Sequence, residues 1–145
     1  MLITKIRDVK LPNRGTPGSA GLDFFIPNDY PEFTLGSGCS VNIPSGIKMV
    51  VPHGQAGIFF NKSGVAVKGI FVGACVVDSD YRGEVHLNLH NVSPNPIVFK
   101  PGQKVTQMLL VPVSMVNVVE ISNDEYKKQE DTQRGSGGFG STGDK

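Results

Sequence analysis

The chain has 145 residues, of which 39% are hydrophobic and 19% charged. These are the proportions of a single globular domain large enough to bury a core. A formal net charge of +1 excludes a broadly basic nucleic-acid surface or a polybasic membrane anchor, but leaves room for a local site binding a small charged ligand. The 18 Gly and 10 Pro argue against a helical bundle and for an all-β chain of short strands and turns.

In chain order, the N-terminal Met1–Pro12 lacks the apolar stretch of a signal peptide, and no later run reaches membrane-spanning length. Asp23 lies between Ala20-Gly21-Leu22 and Phe24-Phe25, at the edge of an apolar strand, where a structural, hydrogen-bonded carboxylate is the ordinary reading. Cys39 and Cys75 have no metal-like spacing, so both are expected reduced and the protein cytoplasmic. Residues Val41–Val51 are predicted as two short strands broken by Pro44-Ser45-Gly46. An apolar run over Ala56–Phe60 is followed by Ser63–Lys68, predicted as one or two helical turns starting at Ser63 and ending at Gly69. Glu84–Asn91 alternates strictly between polar and apolar residues, the period of a half-buried strand with His86 and His90 on its solvent face. Ile97–Phe99 ends in the turn Pro101-Gly102, and Val105–Val119 is a β-rich stretch interrupted by Pro112. A helical turn is predicted near Asp124–Lys128. From Ser122 the composition loses core-forming residues, so the chain divides into a β-barrel domain, 1–121, and a flexible glycine-rich C-terminal arm, 122–145.

Three segments carry residues suited to chemistry. Gly135–Gly140 spells G-x-G-x-x-G, but the dinucleotide fingerprint must join a strand to a helix and only five residues follow; Ser141, not Lys, follows Gly140, so a phosphate loop is excluded too. A glycine-rich loop with Arg134, Phe139, Ser141 and Thr142 is still able to fold over a polyphosphate and a base. Asn61–Gly64 offers backbone N–H groups, a hydroxyl and a lysine to an anion, although a capped helix with a solvated lysine explains the same residues. Asp78 and Asp80 stand in a turn beside apolar Val76 and Val77, as a structural Asp turn or as a general base for water. His53, His86 and His90 have no metal-ligand spacing, and no Ser-His-Asp arrangement is legible.

The order of the segments is more telling than any one of them. Ala20–Asp23, Lys62–Ala66, Gly73–Gly83, Gly102–Gln107 and Arg134–Gly143 resemble the five ordered motifs of the trimeric dUTPase family. The resemblance implies a distorted jelly-roll-like barrel of short strands with one short helix. It also implies hydrolysis of dUTP to dUMP and pyrophosphate, which limits uracil incorporation into DNA and supplies dUMP for dTMP synthesis. Asp78 then matches the carboxylate that activates water against the α-phosphorus, and Tyr81 the aromatic under the deoxyribose. The backbone from Val72 to Val77, Gly73 and Val77 included, matches the hairpin that reads uracil. Lys62, Ser63, Gly64 and Gln107 match phosphate contacts, and Arg134, Gly140, Ser141 and Thr142 match the closing arm, with Phe139 stacked on the base. Asp23 matches a supporting carboxylate. The resemblance further implies Mg²⁺ carried by the substrate phosphates with no direct protein ligand, and a homotrimer with shared sites that binds neither nucleic acid nor membrane. Three positions depart from the commonest pattern: Lys62 and Lys104 replace frequent arginines, and Cys75 replaces a glycine in the hairpin. Two alternatives remain beside this reading: a related dCTP deaminase or bifunctional enzyme, and a regulatory nucleotide-binding protein on the same scaffold.

Overall fold

A computed structural model describes residues 1–138. Packing divides the chain into two units, Met1–Ser114 and Met115–Lys145. The first unit contains β1 (Leu2–Lys5), β2 (Leu22–Phe25), β3 (Phe33–Leu35), β4 (Ser40–Val50) and β5 (Gln55–Asn61), then one helical turn, α1 (Ser63–Ala66). It continues with β6 (Ile70–Gly73), β7 (Val76–Val77), β8 (Glu84–Asn91), β9 (Ile97–Phe99) and β10 (Lys104–Pro112). Two antiparallel four-stranded sheets form, in the orders β1-β4-β8-β6 and β2-β10-β5-β7, with a two-stranded ribbon of β3 and β9. The expected all-β, jelly-roll-like architecture is therefore the one that forms.

Alternation drives the sheets together. On β8, Val85, Leu87 and Leu89 are buried while His86 and His90 are exposed, as their period predicts. These residues meet Ile43 and Ile47 of β4, and Phe24, Phe59 and Met108 of the other sheet, in one apolar core between the two layers. The edge-on contact of Phe24 and Phe59, centroids 4.8 Å apart, joins β2 to β5 in that core. Asn91 breaks the apolar series at the end of β8. Its Nδ2 donates to the carbonyls of Leu35 and Asn95, and its Oδ1 accepts from Ser93, so burial leaves no amide group unmet.

Two local expectations change. The two strands expected over Val41–Val51 are one, β4, which ends at Val50 and absorbs Pro44-Ser45-Gly46 as a bulge. Pro44 pairs with His86 and Lys48 with Glu84, so four residues of β4 advance against two of β8. Gly46 takes φ +73°, and its N–H and C=O are met by Glu84 Oε1 at 2.7 Å and Ile6 N–H at 2.8 Å. The β-rich reading of Val105–Val119 holds only to Pro112. Beyond the last ladder pair, Pro112 with Gln55, the Val113 N–H reaches Gly54 O, and β5 offers no further residue to pair with. Residues 113–121 carry no helix or strand.

The two helical segments form where they are expected. The first, α1, starts at Ser63 with Lys62 as its N-cap and no side-chain cap bond, and Gly69 at φ +83° ends the segment as expected. In the second unit the helical turn predicted near Asp124–Lys128 forms as α2 (Asn123–Lys127). A capping box makes it: Ser122 Oγ accepts from Glu125 N–H, and Glu125 Oε2 accepts from Ser122 N–H. Among the described residues no helix is long and apolar enough to cross a membrane.

Candidate active site

Residues 73–77 cross from one sheet to the other. β6 pairs with β8, bringing Gly73 opposite Asn88, whereas β7 pairs with β5, bringing Val77 opposite Gly57. Two glycines make the crossing sterically feasible. A Cβ on Gly57 would lie 2.8 Å from Met108 Sδ, and one on Gly73 would lie 2.6 Å from His90 Nε2. The crossing turns through Ala74 at φ +48°, the one non-glycine residue with positive φ among the described residues. The glycine-replacing Cys75 is not in that conformation, so the backbone demand falls one residue earlier than the sequence departure suggests.

Beside this crossing lies a cavity of about 210 Å³. Phe59, Ala74, Val76 and Val77 form its apolar lining, and Asp78, Tyr81, Glu84 and His86 its polar lining. Val77 is buried, while the Asp78 carboxylate and the Tyr81 ring are exposed. The acidic turn is fixed by its own side chains. Tyr81 Oη donates to Glu84 O at 2.8 Å, and Arg82 Nη1 donates to Ser79 O and Tyr81 O at 2.8 and 2.9 Å. Gly83 leaves space for the tyrosine, since a Cβ there would come within 2.9 Å of the ring edge.

A second group of predicted residues assembles around Asp23, which is 4% exposed on β2. Lys62 Nζ donates to its Oδ1 at 2.7 Å, and Lys104 Nζ lies 3.2 Å from its Oδ2. Burial by itself would raise the Asp23 pKa; the hydrogen bonds and charges of the two lysines outweigh it and hold the carboxyl below its ordinary value. Both lysine-for-arginine departures thus meet on one carboxylate. Gln107 Nε2 donates to Asn61 O at 2.9 Å, and Gln107 lies over Gly21, where any side chain would overlap it. Gln107, Gly21, Ser19 and Asn61 line another cavity of about 530 Å³. Ser63 and Gly64, at the start of α1, are exposed.

The two groups stand at opposite ends of β5. The β5–β7 pairing ends with Val77 opposite Gly57, so Asp78 follows it toward the start of β5, while Lys62 follows Asn61 at the far end. Six residues of extended chain separate them by roughly 20 Å. Arg134 belongs to the second unit, where its Nε donates to Gly137 O at 2.9 Å. Phe139, Gly140, Ser141 and Thr142 lie outside the described residues.

Sequence reasoning did not single out Phe59, Glu84 or His86 as lining residues of the Asp78 cavity, nor Asn61 as a joint between segments. His86 carried a signal, its place on the solvent face of β8; the others depend on pairings distant in sequence. Among the described residues no three His, Cys, Asp or Glu side chains cluster as a metal cage.

Comparison with known proteins identifies the family of the chain. A dUTPase family model matches residues 7–143. The deoxyuridine 5'-triphosphate nucleotidohydrolase of Desulfitobacterium hafniense is 38% identical over 145 residues, covering 97% of this chain and 92% of that protein. The protein of the same name from Candida glabrata is 41% identical over 133 residues, covering 91% and 88%. The fold is also that of the Staphylococcus bacteriophage 80alpha dUTPase solved with dUPNHPP, with a TM-score of 0.81 at 19% identity over 98% of this chain and 97% of that one. With the five motifs in order and the match running nearly end to end, the chain belongs to the dUTPase family.

Proposed function

We propose that the chain hydrolyses dUTP to dUMP and pyrophosphate, with Asp78 as the general base. The carboxylate accepts a proton from water as the water oxygen bonds to the α-phosphorus and the bond to the pyrophosphate oxygen breaks. The observation that carries this reading is the small cavity with an exposed Asp78 carboxylate, an exposed Tyr81 ring and the 73–77 backbone around it. Tyr81 packs under the deoxyribose and leaves no room for a 2′-hydroxyl. The backbone from Val72 to Val77, with Gly73 and Val77 at its ends, reads the uracil edge and excludes a 5-methyl group.

The phosphates lie against Ser63, Gly64, Gln107 and Lys62. An ammonium has three donors, so a Lys62 that gives one to Asp23 keeps two for phosphate oxygens. Asp23 acts through this lysine. Arg134, Gly140, Ser141 and Thr142 close over the phosphates and Phe139 stacks on the base, excluding bulk water. Mg²⁺ enters as a passenger of the triphosphate, its shell filled by phosphate oxygens and water and not by direct protein ligands. Bound there, the ion neutralises phosphate charge.

The roughly 20 Å between Asp78 and Lys62 along β5 supports a site shared between chains, in a homotrimer. One subunit supplies the Asp78 cavity, another the Lys62 group, and an arm closes over both. The exposed Met115, Val116, Val118 and Val119 fit the same reading, as apolar surface of the kind that subunit contact covers. Free Cys39 and Cys75 suit a cytoplasmic enzyme.

The test is pyrophosphate release from dUTP, dTTP, dCTP and UTP, each with and without Mg²⁺. Mg²⁺-dependent release from dUTP alone is expected. Absence of release from dUTP would refute the reading, and equal release from dTTP would refute the role of the 72–77 backbone.

A further inference from the structure

We infer that Asn61 is a positioning residue for base selection, its carboxamide fixing the strand that delivers the 73–77 turn; this rests on the dUTP reading above. β6 is the edge strand of its sheet, so one side of it has no ladder partner. On that side Asn61 Oδ1 reaches across from β5, in the other sheet, and accepts the Val72 N–H at 2.8 Å. The Val72 carbonyl is engaged as well, accepting from Cys75 Sγ at 3.5 Å. Both backbone groups of the residue before the turn are therefore held by side chains.

The turn needs that restraint. Ala74 at φ +48° is in a conformation disfavoured for a residue with a Cβ, which persists only where its surroundings over-determine it. On the far side Phe59 N–H donates to Cys75 O at 2.8 Å. Residues 73–75 are thus suspended between Asn61 and Phe59, two positions of one strand. Without the carboxamide the Val72 N–H has no protein partner, and Ala74 is free to relax toward negative φ. Asp78 is anchored separately, by the β7–β5 pairing that precedes it. The change therefore falls on base recognition and leaves the attacking water in place. Asn61 also connects to the phosphate group of residues, since its carbonyl accepts from Gln107 and Lys62 follows it directly.

The experiment compares Asn61→Ala and Asn61→Asp with the wild-type chain, in kinetics on dUTP and dTTP and in hydrogen exchange of the Val72 amide. Loss of one hydrogen bond that leaves a donor unmet predicts that N61A raises KM for dUTP about five- to tenfold, with kcat within about twofold. The preference for dUTP over dTTP falls with it, and Val72 exchange accelerates. N61D keeps an oxygen acceptor at the same reach and recovers KM, selectivity and amide protection. Should N61A fail to fold, Asn61→Gln, which displaces the acceptor by one methylene, is expected to show the same losses. Unchanged KM and selectivity in N61A, equal losses in N61A and N61D, or a fall in kcat and Tm without a change in selectivity would each overturn the inference. A wild-type chain inactive on dUTP would instead refute the reading beneath it, whatever the Val72 amide does.

Discussion

Asp78 and Asp23 are two carboxylates that a sequence presents alike and the fold separates by exposure. Asp78 stands exposed at a cavity, bonded to no side chain among the described residues, whereas Asp23 is buried between two lysines. Asp78→Asn removes the proton acceptor without changing shape. Turnover of dUTP is expected to fall about 10²- to 10⁴-fold, while nucleotide affinity, measured by titration calorimetry, and Tm stay near wild type. Near-wild-type turnover would end the assignment of Asp78. Asp23→Asn acts on stability instead. Losing two charge-assisted bonds to partly solvated lysines is expected to cost about 1–3 kcal/mol at neutral pH. Because the folded carboxyl titrates below its ordinary 3.8, the unfolded chain binds the proton first as pH falls. The stabilisation is therefore complete above about pH 5 and is lost as pH drops through the folded value. Urea titrations from pH 3 to 7 should show an acid limb in the wild type that is flatter in D23N.

At the scale of elements, the legible parts were those whose pattern is local. Glu84–Asn91 alternates and forms β8 with those bounds, and Gly69 ends the helical turn after Lys62 with the positive φ that glycine permits. Ser122 and Glu125 at capping-box spacing start α2, the helical turn expected near Asp124, through a pattern present in the sequence but not used. The β4 bulge was not legible, because Pro-Ser-Gly is also the composition of a break. What keeps the strand whole is Glu84 across the sheet and Ile6 on its other side. Gly46→Ala tests this. A Cβ at φ +73° would lie 2.8 Å from Arg7 Cβ and 3.1 Å from Val9 Cγ1, so a destabilisation of about 1–3 kcal/mol is expected. A thermal scan that finds G46A as stable as wild type would mean the bulge relaxes without cost.

At the scale of the molecule, the proposed site has its two groups of residues at opposite ends of β5, which is the ground for reading it as shared between chains. The shared-site reading predicts that a chain ending before Arg134 loses turnover far more than Tm, since the composition of the removed segment offers almost no core-forming residue. It also predicts complementation. D78N chains and arm-truncated chains, each nearly inactive, should regain activity when unfolded and refolded together, because a mixed trimer contains sites with an intact Asp78 from one chain and an arm from another. Activity of the mixture should be read beside sedimentation velocity. A monomer, or a trimer without complementation, would refute the shared site.

The sequence by itself determined the residue types and their order: five motif segments, an alternating strand, turn residues between short apolar runs, and a C-terminal stretch poor in core-forming residues. Those features depend on local backbone preference and on the chemistry of single side chains, so they can be read without contacts. Only the tertiary structure decided which of them meet. Lys62 and Lys104 are 42 positions apart in the sequence, yet both close on Asp23, because β10 lies between β2 and β5. Asn61 takes the Val72 N–H because β5 and the edge strand β6 belong to different sheets that approach there. Strand pairing is a long-range choice made by whole faces burying together, and one chain's linear pattern does not carry it.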